Sequence, residues 1–256
     1  MNDTRIDGFL DGRLRLIQPA RGYRAGADAV MLAAACAARP GDSVLELGCG
    51  AGVASLCLGS RVPDLHLTGI EMQPDYADLA RRNSRGSGIA MTVVDGDLTQ
   101  MPAALRAANF HHVIANPPYF IGSTAGPDAG RAMARHETAP LAAWVDAGLR
   151  RLRPGGAITL IQRADRLDGL IAALFGRAGD IAILPIAARA TRDAGRVIVS
   201  ARKGARGPLR LLAPFVLHAA QAHLRDAEDM TPKAAAVLRG GMPINLKLYE
   251  TGVTES

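Results

Sequence analysis

Apolar residues recur in short runs that alternate with stretches of helical period, and a few polar, Gly or Pro residues separate them. Ser43-Val44-Leu45-Glu46-Leu47 reads as a short buried strand. His66 to Glu71, Ala90 to Val94, His112 to Ala115 and Ala157 to Gln162 repeat the pattern. Between them the period predicts helices over Asp28 to Ala38, Ala51 to about Ser60, Pro74 to about Arg85, Met101 to Ala108, Leu141 to Leu152 and Leu167 to Arg177. Pro40-Gly41 and Pro154-Gly155-Gly156 stop two of these, and Pro74 opens another from its first turn. Ile181 to Ala187 and Arg196 to Ala201 are joined by a short polar turn, which predicts an antiparallel pair. Strands alternating with helices and closing on a hairpin predict an α/β fold: a doubly wound, seven-stranded sheet with an antiparallel edge. No element is predicted before Asp28. Phe120 to Pro140, with Gly122, Gly126, Pro127 and Gly130, reads as a long loop of the kind that is usually functional or disordered. From Pro208 onward the pattern is less regular and ends in a helix from Thr231-Pro232 to Arg239.

Composition narrows the function class. The 256 residues are 48% hydrophobic, 21% charged and 4% aromatic, which suits a soluble globular chain with one main core. The longest apolar run, Ala29 to Ala38, is well short of the 18 or so residues a membrane span requires, so no membrane partner is expected. Charges at the N-terminus occupy the place where an export signal would be apolar, which points to the cytoplasm. Cys36, Cys49 and Cys57 lack paired spacing, and His111, His112, His136, His218 and His223 show no ligand spacing, so no metal is expected. The net charge is +6, and only Lys203, Lys233 and Lys247 among the 30 basic residues are lysines. Arginine favours planar contacts with phosphate or carboxylate, a weak pointer to a polyanionic partner. The sequence carries no mark of an oligomeric state.

Glu46-Leu47-Gly48-Cys49-Gly50-Ala51-Gly52 leaves the first strand and opens a helix. Glycines there allow positive φ and close approach of a ligand, and the helix N-terminus adds polarity. Glu71 ends the next strand about twenty residues on, where a carboxylate can take the ribose hydroxyls of a nucleoside cofactor. The spacing Gly48, Gly50, Gly52 departs from a dinucleotide fingerprint, and an acid just before the first glycine repels pyrophosphate while suiting a cationic amino-acid moiety. The alternative is a tight strand-to-helix turn with an ordinary strand-end acid.

Asn116-Pro117-Pro118-Tyr119 follows the fourth strand, which in a doubly wound sheet lies at the switch point where ligands bind. The prolines fix φ and remove two donors, leaving rigid carbonyl acceptors. With the Asn amide and the Tyr ring they suit a planar group bearing an NH2, held by acceptors on its hydrogens and stacked on an aromatic face. That chemistry fits methylation of an exocyclic amine or a side-chain amide. The alternative is a strand terminator with Tyr119 as a lid over the core. No cysteine follows this strand, which argues against methylation at a cytosine carbon.

The glycine-rich run resembles motif I of class I S-adenosylmethionine-dependent methyltransferases, which have a Rossmann-like sheet. The resemblance implies S-adenosyl-L-methionine as cofactor, with Glu46, Gly48, Cys49, Gly50 and Gly52 around it, Glu71 and Met72 at its ribose, and Asp97-Leu98 at its adenine ring. Asn116-Pro117-Pro118-Tyr119 is shared by adenine-N6 nucleic-acid methyltransferases, by N5-glutamine methyltransferases of release factors and, nearby, by guanine-N2 rRNA enzymes. Gly26-Ala27-Asp28 before motif I, together with Arg131, Arg135 and Glu137 and Leu152-Arg153-Pro154-Gly155-Gly156, resembles the bacterial valine-tRNA (adenine-37-N6)-methyltransferase family from about Phe9 to Ala201. Residues after Gly204 match it poorly. The family likeness implies Gly26 and Asp28 beside the cofactor, although Asp28 in a first turn is also an ordinary cap. It implies Asn116, Pro117, Pro118 and Tyr119 as the catalytic set and tRNA as substrate.

One methyltransferase domain over 1–204 is expected, with 1–42 packing on the cofactor site and 205–256 as its C-terminal extension. Arg189, Arg192, Arg196, Arg202, Lys203, Arg206 and Arg210 face a single acid, Asp193, within one stretch, which reads as a phosphate-holding surface or as a solvated face. The expected RNA contacts are Tyr23, Arg24, Arg131, Arg135, Arg192, Arg196, Lys203 and Arg206. A glutamine-N5 enzyme and a non-catalytic RNA-binding module are the competing readings.

Overall fold

A computed structural model of the chain describes residues 3–118, 139–219 and 229–249. In β3 (Ser43–Leu47) the side chain of Val44 enters one core layer, while Leu45 and Leu47 enter the other. β6 (Phe110–Ala115) does the same with Ile114 against Val113 and Ala115. Successive strand residues face opposite ways, so a strand apolar at nearly every position must be covered on both faces. Helices α1 (Ala27–Ala35), α2 (Val53–Arg61), α3 (Pro74–Ser87) and α7 (Pro232–Leu238) supply Leu32, Leu56, Leu79 and Val237 to one layer. Helices α4 (Ala103–Ala107), α5 (Leu141–Arg151) and α6 (Leu167–Leu174) supply Leu105, Val145 and Leu170 to the other.

The sheet runs β5 (Met91–Asp95), β4 (His66–Glu71), β3, β6, β7 (Leu152–Arg163), β9 (Ala194–Lys203) and β8 (Ala178–Ala187). All are parallel except β9, which lies antiparallel between β7 and β8. These are the seven expected strands in doubly wound order. The chain leaves β3 toward β4 on one side and returns as β6 on the other, so the switch point lies between the carboxyl ends of β3 and β6.

Several features differ from the sequence expectation. The hairpin does not end the sheet, because β10 (Arg210–Leu211) and β11 (Phe215–Val216) add to β8 in parallel. Such short strands shield an edge without a long hydrophobic signature. An antiparallel ribbon, β1 (Thr4–Phe9) and β2 (Leu14–Pro19), precedes α1. Leu14 and Leu16 are buried and Arg15 is exposed, a period-two pattern too brief to stand out. α5 passes straight into β7 at Leu152 rather than Ala157, through Gly155 at φ +72. The C-terminal stretch packs on the rest: Thr231 Oγ1 accepts from Ala234 N at 3.1 Å to cap α7, and Ile244 N donates to Ala34 O at 2.8 Å. No helix among the described residues is long and apolar enough to cross a membrane.

Asn83 on α3 ties the ribbon to the core. Its Oδ1 accepts from Ile17 N at 2.7 Å, and its Nδ2 donates to Ile17 O at 2.8 Å and Ala51 O at 2.9 Å, with the residue 2% exposed. Asn83→Ala strands three backbone groups, that of Ala51 at a buried bond and those of Ile17 at part-buried ones, and should lower stability by about 1–3 kcal/mol. Urea unfolding should show a lower midpoint at unchanged slope, and an unchanged midpoint would refute the bridging role.

Candidate active site

β3 ends at Leu47 and the backbone turns left-handed at Gly48, Gly50 and Gly52, with φ of +60, +54 and +82, before α2 begins. A side chain at Gly48 would also collide with Trp144 of α5, whose ring carbon Cη2 would sit 2.6 Å from an added Cβ. The turn is fixed from outside. Cys49 N donates to Ile70 O at 3.1 Å, Gly50 N donates to Glu71 Oε2 at 2.9 Å, and Gln73 N donates to Glu71 Oε1 at 2.9 Å. Cys49 is buried with its sulfur over Gly69, which needs to be glycine because an added Cβ would lie 2.6 Å from that Sγ.

Glu46 is 4% exposed, on the α1/α2 side of β3. Its Oε2 accepts from Ser55 N at 3.0 Å and Ser55 Oγ at 2.5 Å. Burial pushes its pKa up to about 7; the Ser55 bonds pull the other way and the charge of Glu71 adds to the rise.

Glu46, Gly48, Cys49, Gly50, Gln18, Tyr23, Tyr76 and Asn116 are among the residues lining one cleft of about 400 Å³, open at its mouth. The chemistry of the lining fits a nucleoside cofactor that carries an amino acid: a glycine cradle, a carboxyl group at one end, and next to the turn Glu71, whose carboxylate accepts from Gly50 N and Gln73 N. Asn116 closes the far wall, and its Nδ2 donates to the Tyr23 hydroxyl at 3.1 Å. Pro117 is buried and Pro118 exposed. The Pro117 carbonyl accepts from Gln162 Nε2 at 3.3 Å, so one side chain of β7 fixes its direction.

The remaining expected residues fall into three groups. Met72 is 49% exposed beside Glu71. Asp97 accepts from Thr99 N at 2.7 Å and so caps the turn after β5; it and Leu98 lie at the carboxyl edge but not among the cleft lining. Gly26 is the N-cap of α1, and Asp28, within its first turn, accepts from Arg196 Nε at 3.1 Å instead of capping. Arg24 chelates Asp7 through both oxygens, at 2.9 and 2.8 Å. Arg196 and Arg24 are thus each already paired with an acid of the protein.

The basic stretch is also divided by the hairpin. Arg192 and Arg196 stand at the catalytic edge, because β8 ends there and β9 starts there; Lys203 and Arg206 stand at the opposite edge. Lys203 Nζ donates to Leu152 O at 2.7 Å, and Arg189 pairs with buried Asp229 at 2.8 Å. Tyr119, Arg131, Arg135, His136, Glu137 and most of the expected loop lie outside the described residues. Among the described residues no group of three His, Cys, Asp or Glu is placed to hold a metal ion.

Sequence reasoning missed Gln18, Tyr76, Ser55, Trp144 and Gln162. Gln18 is 1% exposed and clamps Ala25 from both sides, with N to Oε1 at 2.8 Å and Nε2 to O at 3.0 Å. Tyr76 OH donates to Tyr23 O at 2.9 Å. Only Ser55 had a local signal, as a hydroxyl facing the strand-end acid from the first turn of the following helix.

The raised pKa of Glu46 gives a pH signature. The folded state holds the proton more tightly than the unfolded chain, so Glu46 costs stability progressively as pH rises from about 4.5 to 7. Glu46→Gln should therefore gain stability relative to the parent between about pH 5 and pH 8. Thermal unfolding at several pH values checks this, and parallel curves for the two proteins would contradict the burial argument.

The family model described as methyltransferase small domain matches residues 26–182, from the N-cap of α1 into β8. A tRNA1(Val) (adenine(37)-N6)-methyltransferase of Porphyromonas gingivalis is 33% identical over 173 residues, 64% of this chain and 68% of that protein. One of Shewanella baltica is 32% identical over 158 residues, 59% and 66% of the two chains. The chain spans about two thirds of the length of each. The crystal structure of a predicted O-methyltransferase, protein Atu636 from Agrobacterium tumefaciens, superposes with a TM-score of 0.70 at 28% identity, covering 85% of this chain and 98% of that one. With the family model matched over more than half its length, this chain belongs to the methyltransferase small domain family.

Proposed function

We propose that the protein transfers a methyl group from S-adenosyl-L-methionine to the exocyclic N6 of an adenine in tRNA, in the cytoplasm. The observation that carries this is the Asn116-Pro117 pair at the carboxyl end of β6, set against a cleft lined by Glu46 and the glycine turn that Glu71 holds. The names of the two tRNA-modifying relatives support the choice of adenine and tRNA. When bound, the cofactor supplies an electrophilic methyl group on a sulfonium centre.

The chain's own residues bind and orient. Glu71 takes the ribose hydroxyls with Met72 beside it, Glu46 faces the methionine end, Asp97 and Leu98 flank the adenine, and Gly48, Cys49, Gly50 and Gly52 offer backbone. Gly26 and Asp28 frame the same site from α1. An aniline-like amine is a weak nucleophile because its lone pair is delocalised into the ring. Asn116 and the Pro117 carbonyl, by accepting both its hydrogens, favour a lone pair directed at the methyl group, and the rest is positioning. Pro118 keeps the backbone rigid, and Tyr119 is assigned the face on which the flipped base stacks.

For RNA, phosphate contact is assigned to Arg192 at the catalytic edge and to Arg131 and Arg135. Tyr23, Arg24 and Arg196 act within the site wall. Lys203 and Arg206 stand about 30 Å away along a ten-residue strand and reach the RNA only if it wraps the sheet end. We further propose that 1–42 and 205–256 form one folding unit with the methyltransferase core.

The direct test is incubation with labelled S-adenosylmethionine and either undermodified tRNA or a release factor, followed by mass spectrometry of the product. Label on adenine N6 is expected, whereas label on a glutamine of the release factor would replace this reading, and tight RNA binding without transfer would favour a non-catalytic module. Asn116→Ala should lower transfer by about 100-fold or more while leaving cofactor binding nearly intact. A loss of cofactor affinity as large as that of Glu71→Ala would show the two sites to be misplaced. Arg192→Ala should weaken tRNA binding and reduce its salt slope by roughly one.

A further inference from the structure

The parallel ladder between β6 and β7 closes on the pair Ala115 and Leu160. Two residues further along each chain stand Pro117 and Gln162. Proline has no amide hydrogen to donate, so the pairing of the two strands stops there and the Pro117 carbonyl needs another support. A side chain supplies it. Gln162 Nε2 donates to Pro117 O at 3.3 Å, while Gln162 Oε1 accepts from Arg163 N at 2.8 Å, so one amide group stands in for the missing rung.

Packing does not ask for an amide at this position. Gln162 is 2% exposed, lies directly opposite Val197 of β9 and follows Leu160 on the same face of β7, and both of those residues are buried and apolar. A buried amide is destabilising unless it is bonded, so its presence here goes with the two groups it joins. Its orientation is fixed as well, because a main-chain N–H can only donate: Arg163 N selects Oε1, which turns the NH2 end to the carbonyl. A carbonyl oxygen has two lone pairs, and by taking one of them Gln162 sets the direction of the other.

We infer that Gln162 is a positioning residue for methyl transfer: by holding the Pro117 carbonyl from β7 it keeps that acceptor aimed at the target amine. This rests on the reading of Asn116-Pro117 given above. Gln162 is not part of the cleft lining, so its effect passes through the carbonyl and not through contact with cofactor or RNA.

Gln162→Met fills a similar volume without a donor. With undermodified tRNA, kcat should fall about 10- to 100-fold, while the Kd for S-adenosylmethionine by calorimetry and the KM for tRNA stay within about twofold. Gln162→Glu keeps the size and the bond from Arg163 N, and it can donate to Pro117 O only when its carboxyl is protonated. Its kcat, divided by that of the parent at the same pH, should therefore rise about fivefold or more from about pH 8.5 to about pH 5.5. If Gln162→Met does not fold, the Glu variant carries the test. An unchanged kcat in folded Gln162→Met, with the parent protein active on tRNA, overturns the proposal. So does a weakened cofactor Kd or a raised tRNA KM at unchanged kcat, and so does a Glu-to-parent ratio that stays flat with pH. If the parent protein itself transfers nothing to tRNA, the reading beneath the inference fails and the inference falls with it.

Discussion

A backbone that turns left-handed at Gly48, Gly50 and Gly52 satisfies its own amides only in part, with Gly52 N donating to Cys49 O at 2.8 Å, because neither a strand ladder nor a helix continues there. The other partners come from neighbouring elements. β4 offers the Ile70 carbonyl and, at its end, the Glu71 carboxylate; α3 offers Asn83 to Ala51; α5 sets the Trp144 ring against Gly48. Glu71 illustrates the economy of the arrangement: the group that fixes the glycine turn is the group assigned to the ribose, so loop shape and ligand affinity rise or fall together.

Charge is handled by the same logic of prior commitment. Asp7 holds Arg24 and Gln18, and although burial opposes it, the Arg24 and Arg5 guanidiniums keep its carboxyl below the ordinary range. Asp28 engages Arg196 across from the first turn of α1. Both arginines already carry an acid partner within the protein. What remains acidic inside the cleft is Glu46, whose burial raises its pKa to about 7. A cationic amino-acid moiety beside it would favour the charged form again, so cofactor affinity and the protonation of Glu46 are coupled.

The strands of the sheet were legible because their apolar runs are local, and the helices because Gly and Pro punctuate them: the last helix begins at Pro232 behind its Thr231 cap, as the dipeptide implies. The glycine turn and Asn116-Pro117 were legible because each is contiguous. The polar residues that build the walls were not. Gln18, Asn83 and Gln162 are single buried side chains whose partners lie on other elements, and a lone Gln or Asn carries no period. The arginine stretch misled for the opposite reason: residues adjacent in sequence were expected to share a surface, but a hairpin sends the two ends of a strand to opposite edges of the sheet.

Asn116 and Pro117 show why a tetrapeptide specifies a reaction type more firmly than a substrate. Two acceptors at a fixed spacing recognise an NH2 group attached to a plane, and an adenine, a guanine or a glutamine amide all present one. Discrimination has to come from what surrounds that group: the ring on which a base stacks, the width of the entrance, and the charge of the rim. Here the cleft is also lined by Gln18 of the N-terminal ribbon and by Tyr23, which follows it. Residues 1–25 lie outside the stretch that the family model matches, whereas the glycine turn, Glu71 and Asn116 all lie within it. The chemistry therefore belongs to the common core, and the shape of the entrance belongs to the part of this chain that precedes it.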